Sequence, residues 1–301
     1  MAMLLIAPLL LAGAIEALQI VHGHGRKSHF QAAPANINAG YQSLDLHLLG
    51  KAGSSDYRLR HNVKYDFWFF TNSRFFGPHT DGMYGSVGEG EGMMMQPETD
   101  FAAARMREAL VRNNGTCTIV DVGSNFGYFS LLALRLGCRV YAFEPARNNF
   151  DLSLLNFRIN GFKNWVAINH PVGPRGTDVL FDGWSSMNQN AQNKSATKGV
   201  EPVPISYIAE RFEGNSSERP FVIDWLKVDV EGFEQSVLLT VPPALPVRSL
   251  SIEVTFYLVH DIDYAQAFAF MHARYTDIMD VDNGVQVVPC PPPSPPPRRP
   301  P

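Results

Sequence analysis

The chain has 301 residues, a formal net charge of −4, 45% hydrophobic residues and 18% charged residues. This excludes a mainly disordered or fibrous chain and leaves no basic field for nucleic acid. Three cysteines exclude a disulfide scaffold, and a mean hydropathy of −0.10 excludes a multi-span membrane protein.

Residues 1–23 open on the apolar run MAMLLIAPLLLAGAI, short for a membrane span and right for the h-region of a signal peptide or an uncleaved anchor. A secretory or endomembrane, Golgi-like location is expected, with membrane association through the N-terminus. Residues 24–97 read as an extension. Within it, 24–60 read as a linker or stem with a short helix near Leu44 to Leu49, and the aromatic stretch Tyr65–Phe76 as a packed segment over the core or, less favoured, a substrate lid. Glycines at 85, 88, 90 and 92 argue against regular structure there.

The main domain is expected over 98–290. A helix spans Glu98 to Arg112. Thr118 begins a buried strand that ends at a glycine turn, and Phe126 to Leu136 is helical. A second strand, Arg139 to Phe143, is stopped by Pro145. A second helix, Asn148 to Ile159, is closed by Asn160-Gly161, and Asn164 to Asn169 is a third strand. This β-α-β-α-β run implies a parallel sheet. Gly173 to Gly199 reads as a substrate-facing loop and Pro204 to Phe212 as a short helix. Phe221 to Val230 is an apolar strand, Phe233 to Thr240 a helix, Leu250 to Tyr257 a strand and Ala265 to Tyr275 a helix. Asn283-Gly284 signals a final hairpin. Residues 291–301 are a proline-rich tail, expected in polyproline II. Three N-glycosylation sequons begin at Asn114, Asn193 and Asn215, where about two would arise by chance. A Cys117–Cys138 disulfide is conceivable but disfavoured, because neighbouring parallel strands seldom offer the geometry.

Four positions carry chemistry. Asp121-Val122-Gly123-Ser124-Asn125-Phe126-Gly127 is a glycine turn between strand and helix, where backbone can approach a nucleotide-like ligand. Two glycines of the dinucleotide fingerprint are replaced by Asn125 and Tyr128, so a nucleoside without pyrophosphate is favoured and a nicotinamide oxidoreductase disfavoured. Glu144, at a strand end, can accept both ribose hydroxyls. Asp229 and Glu231 follow the fourth strand as candidate acids, bases or helix caps. Glu253 interrupts an otherwise apolar strand.

DVGSNFGYFSLLALRLGCRVYAFEP, LLNFRING, LKVDVEGFEQSVL and SIEV, in this order over about 117–257, resemble the FkbM-type methyltransferase family. The resemblance implies an α/β, Rossmann-like class I methyltransferase fold, a mostly parallel seven-stranded sheet with a C-terminal antiparallel hairpin. It implies S-adenosylmethionine as cofactor, held by Asp121, Gly123, Asn125, Gly127 and Glu144, with Asp229 facing the reacting end. The acceptor would be a hydroxyl on a glycan or small molecule. Asp229 or Glu231 is the expected base, with Glu253 and His260 behind them. Tyr128 and Phe143 are expected beside the cofactor's cation or adenine, and a divalent metal between Asp229 and Glu253 is the weaker alternative. A catalytically silent cofactor-binding scaffold of the endomembrane system is the competing function.

Overall fold

The computed structural model describes residues 57–72, 96–176, 179–181, 197–213, 221–253, 265–275, 278–280 and 285–287. The apolar start, the Leu44–Leu49 helix, the Gly/Met segment, His260, the Asn283-Gly284 turn and the proline tail lie outside them. No described helix is long and apolar enough to cross a membrane.

Five of the apolar runs form one sheet. Its strands are β3 (Thr118–Val122), β4 (Arg139–Phe143), β5 (Trp165–Ile168), β8 (Trp225–Val228) and β9 (Leu250–Ile252). They lie in the order β5-β4-β3-β8-β9 and every neighbouring pair is parallel. The chain runs outward from β3 through β4 to β5, then returns to the other side of β3 for β8. The crevice at that reversal, outside the carboxyl ends of β3 and β8, is where an open α/β sheet takes its ligand. Alternation of side chains splits the core in two. Ile119, Val140 and Trp225 face one cluster, while Val120, Tyr141 and Leu226 face the other. Asp121 and Lys227, opposite each other in register, belong to the first face.

Three helices cover that face or flank it: α1 (Gln96–Arg112), α2 (Tyr128–Leu136) and α3 (Arg147–Ile159). On the other face α4 (Glu234–Leu238) contributes Val237 and Leu238, and α5 (Ala265–Arg274) contributes Ala267. The expected helix after Pro204 is a wide helical turn at Ala209–Glu213. Within the segment read as a loop, β6 (Val179–Phe181) and β7 (Thr197–Val200) pair antiparallel. β10 (Ile278–Asp280) and β11 (Val285–Val287) pair with each other, and no described ladder joins them to the five-stranded sheet.

The stem reading of residues 24–60 is corrected at its end. Tyr57–Asn62 is strand β1, paired antiparallel with β2 (Phe67–Asn72). The aromatic stretch supplies β2, with Phe67, Phe69 and Phe70 buried. Phe69 stacks on Phe126 of the glycine turn with centroids 5.8 Å apart. Alternating apolar residues alone do not explain how this hairpin seats itself, because among the described residues β2 has no second strand beside it. Side chains of α3 take that place. Asn160 accepts from Trp68 N at 2.8 Å and donates to Trp68 O at 2.7 Å. Four residues earlier, Asn156 accepts from Phe70 N at 2.7 Å and donates to Phe70 O at 3.1 Å. The helical i, i+4 spacing meets the strand's i, i+2 spacing, so two carboxamides complete a strand edge. Asn156 also donates to Phe126 O at 2.8 Å and is fully buried.

Asn156→Leu strips partners from three buried backbone groups, each costing about 1–3 kcal/mol. We expect it to lose about 3 kcal/mol or more in chemical denaturation. A loss under 1 kcal/mol would show that the amide does not hold the hairpin.

Cys117 and Cys138 form a disulfide, with Cα atoms 4.6 Å apart. The expectation against it applied the geometry of neighbouring parallel strands to two cysteines at the strand starts. Each sits one residue before its strand, β3 or β4, where Arg139 N donates to Cys117 O at 2.7 Å and draws the two segments together.

Candidate active site

The glycine turn leaves β3 in a left-handed conformation at Gly123 (φ 76), Asn125 (φ 52) and Gly127 (φ 87). Gly123 N and Ser124 N both donate to Phe143 O, at 3.0 and 2.9 Å, which ties the turn to the end of β4. A side chain at Gly123 is impossible as the backbone stands. Its Cβ would lie 1.8 Å from Asp229 O, because Asp229 N bonds Val122 O and brings the end of β8 against the turn. At Gly127 a Cβ would lie 2.7 Å from the Phe157 ring.

Glu144 follows β4 and turns back to this loop. Its Oε2 accepts from Asn125 N at 2.8 Å and its Oε1 from Ala146 N at 2.9 Å. Asn169 fixes the backbone there, donating to Glu144 O and Pro145 O. Each carboxylate oxygen keeps a further lone pair for a ligand hydroxyl. Burial pushes the carboxyl up to about 7, against the two backbone donors that favour its anion.

Asp121 is buried on β3. Its Oδ2 accepts from Ser130 Oγ at 2.7 Å. Its Oδ1 has no hydrogen-bond partner, and neither does the buried Ser124 Oγ. Lys227, whose role the sequence did not disclose, organises these groups. Its buried ammonium donates to Asp229 Oδ2 at 2.9 Å and to Gly123 O at 3.3 Å, and stands 3.6 Å from Asp121 Oδ1. Burial opposes that charge, but Asp229 and Asp121 outweigh burial and raise the pKa. The one signal in the sequence was a lysine inside an otherwise apolar strand.

Asp229 and Glu253 come together at the ends of β8 and β9, and their carboxyls hydrogen-bond each other. Burial works against the Asp229 anion, but Lys227 beside it draws its pKa down. Partial burial of its carboxyl and the Asp229 charge push Glu253 up to about 8, although the residue as a whole is exposed. The proton of the pair therefore rests on Glu253 at neutral pH. The metal alternative would need this same pair. Lys227 stands beside this pair as a cation, and no group of three acids, histidines or cysteines placed for a metal occurs among the described residues.

Glu231 is left-handed (φ 54) and followed by Gly232 (φ 105). Burial, then the charges of Asp229 and Glu234, raise its pKa. The helix-cap reading of Asp229 and Glu231 is not what the loop shows. Buried Glu234 accepts from Gly232 N at 2.9 Å and Val230 N at 3.3 Å, leaving both earlier acids free of that duty. Tyr128 and Phe143, expected beside the ligand, are core residues instead. The Tyr128 hydroxyl meets Asn62 and Thr99, and Phe143 is fully buried in the second cluster.

The glycine turn with Asp121, Gly123, Asn125 and Gly127, and the strand-end acids Glu144, Asp229, Glu231 and Glu253, all lie at or beyond the carboxyl ends of the parallel strands, where Lys227 and Glu234 join them. An open parallel sheet in this strand order, flanked by helices, is consistent with a Rossmann-like fold. The family model for the methyltransferase FkbM domain matches residues 121–276. That is more than half of the 301 residues, and the chain belongs to the FkbM methyltransferase family. No curated protein matches it.

Proposed function

We propose that this methyltransferase uses S-adenosylmethionine to methylate a hydroxyl of a glycan or small molecule. The observation that carries the cofactor assignment is Glu144. Its carboxyl is turned onto the Asn125 amide with a lone pair left on each oxygen, the acceptor set that vicinal ribose hydroxyls require. Ser124 Oγ, which has no hydrogen-bond partner, and Asp121 Oδ1, which meets only the Lys227 ammonium at 3.6 Å, fit the same conclusion, since buried polar atoms short of hydrogen bonds are costly unless a ligand supplies them.

When bound, the cofactor supplies a methyl group on a sulfonium, already activated for transfer. The protein's work is then alignment and proton removal. Lys227 holds Asp229 as an anion beside the glycine turn, where its charge complements a cationic ligand. Glu253, carrying its proton, donates to Asp229 and positions it. We assign Glu231 as the base: it lies two residues past Asp229 in the loop after β8, its backbone is held left-handed, and burial with the charges of Asp229 and Glu234 raises its pKa above the ordinary carboxylate value. Glu231 would take the proton of the acceptor hydroxyl, with the methyl group supplied by cleavage of the cofactor's sulfonium–methyl bond and the cofactor leaving as the neutral thioether.

Methyl transfer from labelled cofactor to a panel of oligosaccharides and small alcohols tests this. Glu231→Gln should lower kcat about 100-fold or more, with S-adenosylhomocysteine affinity nearly unchanged. Asp229→Asn should weaken affinity and rate together. Full activity in Glu231→Gln would remove it as the base.

The Glu144 pKa also predicts a pH dependence. Ribose hydroxyls donate to the carboxylate, so binding selects the ionised form. Below about pH 7 the free protein must release a proton to bind, and S-adenosylhomocysteine affinity should fall about tenfold per pH unit. Above that pH it should level off. Affinity independent of pH between 5 and 8, titration values chosen to bracket about 7, would contradict this role.

We also place the protein in an oxidising endomembrane compartment. The Cys117–Cys138 disulfide supports this reading, since disulfides persist there and are rare in the cytosol.

A further inference from the structure

We propose that Asn114 is an N-glycosylation site, a reading that rests on the endomembrane placement above. Of the three sequons this one lies within the described residues; those at Asn193 and Asn215 lie outside them. Asn114-Gly115-Thr116 forms the turn between α1 and β3, and all three residues are exposed. Gly115 N closes the turn on Leu110 O at 2.7 Å, and the Thr116 hydroxyl donates to Asn113 O at 2.9 Å.

The neighbouring asparagines do opposite things. Asn113 is committed inward, donating to the buried Asp224 carboxylate at 2.8 Å. Asn114 is left-handed (φ 52), and among the described residues its amide makes no hydrogen bond. A Cβ built on Gly115 would meet nothing within 4 Å, so the turn projects into open space. A sequon in a surface turn of a protein in the secretory route is an acceptor for a bulky, solubilising glycan.

The turn also lies at the opposite end of the sheet from the crevice. Asn114 precedes the start of β3, and Gly123 follows its end. The intervening five-residue strand separates them by about 16 Å. A glycan there stands beside the disulfide edge and leaves the ligand crevice open.

In the transfer, the Asn114 amide nitrogen bonds the anomeric carbon of an oligosaccharide and gives up a proton. The sugar's bond to the phosphate of a lipid-linked pyrophosphate donor breaks, and the lipid pyrophosphate leaves.

The test is expression of the full chain in a eukaryotic secretory cell, with an added acceptor sequon at its C-terminus as a reporter of lumenal entry. Peptide N-glycosidase treatment in heavy-oxygen water, followed by peptide mass spectrometry, should mark Asn114 as labelled aspartate. Asn114→Gln and Thr116→Ala should each remove one glycan from the intact mass, and Thr116→Ser should keep it. An occupied reporter with Asn114 bare would overturn the site alone. A bare reporter together with a bare Asn114 would overturn both the site and the endomembrane placement.

Discussion

Gly123→Ala should lose S-adenosylhomocysteine binding by more than about 100-fold. Two costs coincide. The left-handed backbone at φ 76 penalises any side chain by about 1 kcal/mol. The added carbon also arrives 1.8 Å from Asp229 O, so either the turn or the end of β8 must move. Both carry ligand-facing groups. Moving the turn breaks the Asn125–Glu144 bond, and moving β8 displaces Asp229 from Lys227. Gly137→Ala is the matched control. It has φ 97 but open space around the added carbon, so it should cost about 1 kcal/mol of stability and leave binding intact. Calorimetric titration of both variants separates backbone strain from loss of the site. Equal binding by the two would refute the close approach.

Lys227→Met should be the most destabilising substitution in the crevice. The ammonium is the shared partner of Asp229, Asp121 and the Gly123 carbonyl. Removing it leaves two acids facing each other in the interior, one of them with an oxygen that has no other partner. Breaking a buried pair in this way costs about 3–5 kcal/mol, and Tm should fall by on the order of 10 °C. Lys227→Arg should recover part of the stability but not the binding, since a planar fork cannot reproduce the compact three-way contact. A Tm within about 2 °C of wild type for Lys227→Met would mean that the acids are not held by this charge.

The glycine turn and the parallel strands were legible because their signals are local. Apolar runs bounded by Gly and Pro mark β3, β4 and β8, and the strand-end position of Glu144 follows from chain order alone. What escaped the sequence depends on partners far along the chain. Strand β1 looked like a stem because β2's open edge is completed by amides of Asn156 and Asn160, which read only as a helix residue and that helix's C-cap. Lys227 looked like an interruption of an apolar strand until the register set it opposite Asp121. Asp229 and Glu231 both looked like candidate helix caps, and only the buried contacts of Glu234 show which acid shapes the loop. The disulfide was disfavoured by a rule for regular strands, and the two cysteines stand just outside them.

The central claim is a ribose-type ligand gripped by Glu144 at the glycine turn. Isothermal titration of the full chain with S-adenosylhomocysteine at pH 8, above the Glu144 pKa of about 7, tests it most directly when wild type is set beside Glu144→Gln. The account predicts saturable heat for wild type and at least a tenfold weaker Kd for Glu144→Gln, about the loss of one charge-assisted hydrogen bond. No heat with wild type, or equal affinity in the two proteins, would contradict it.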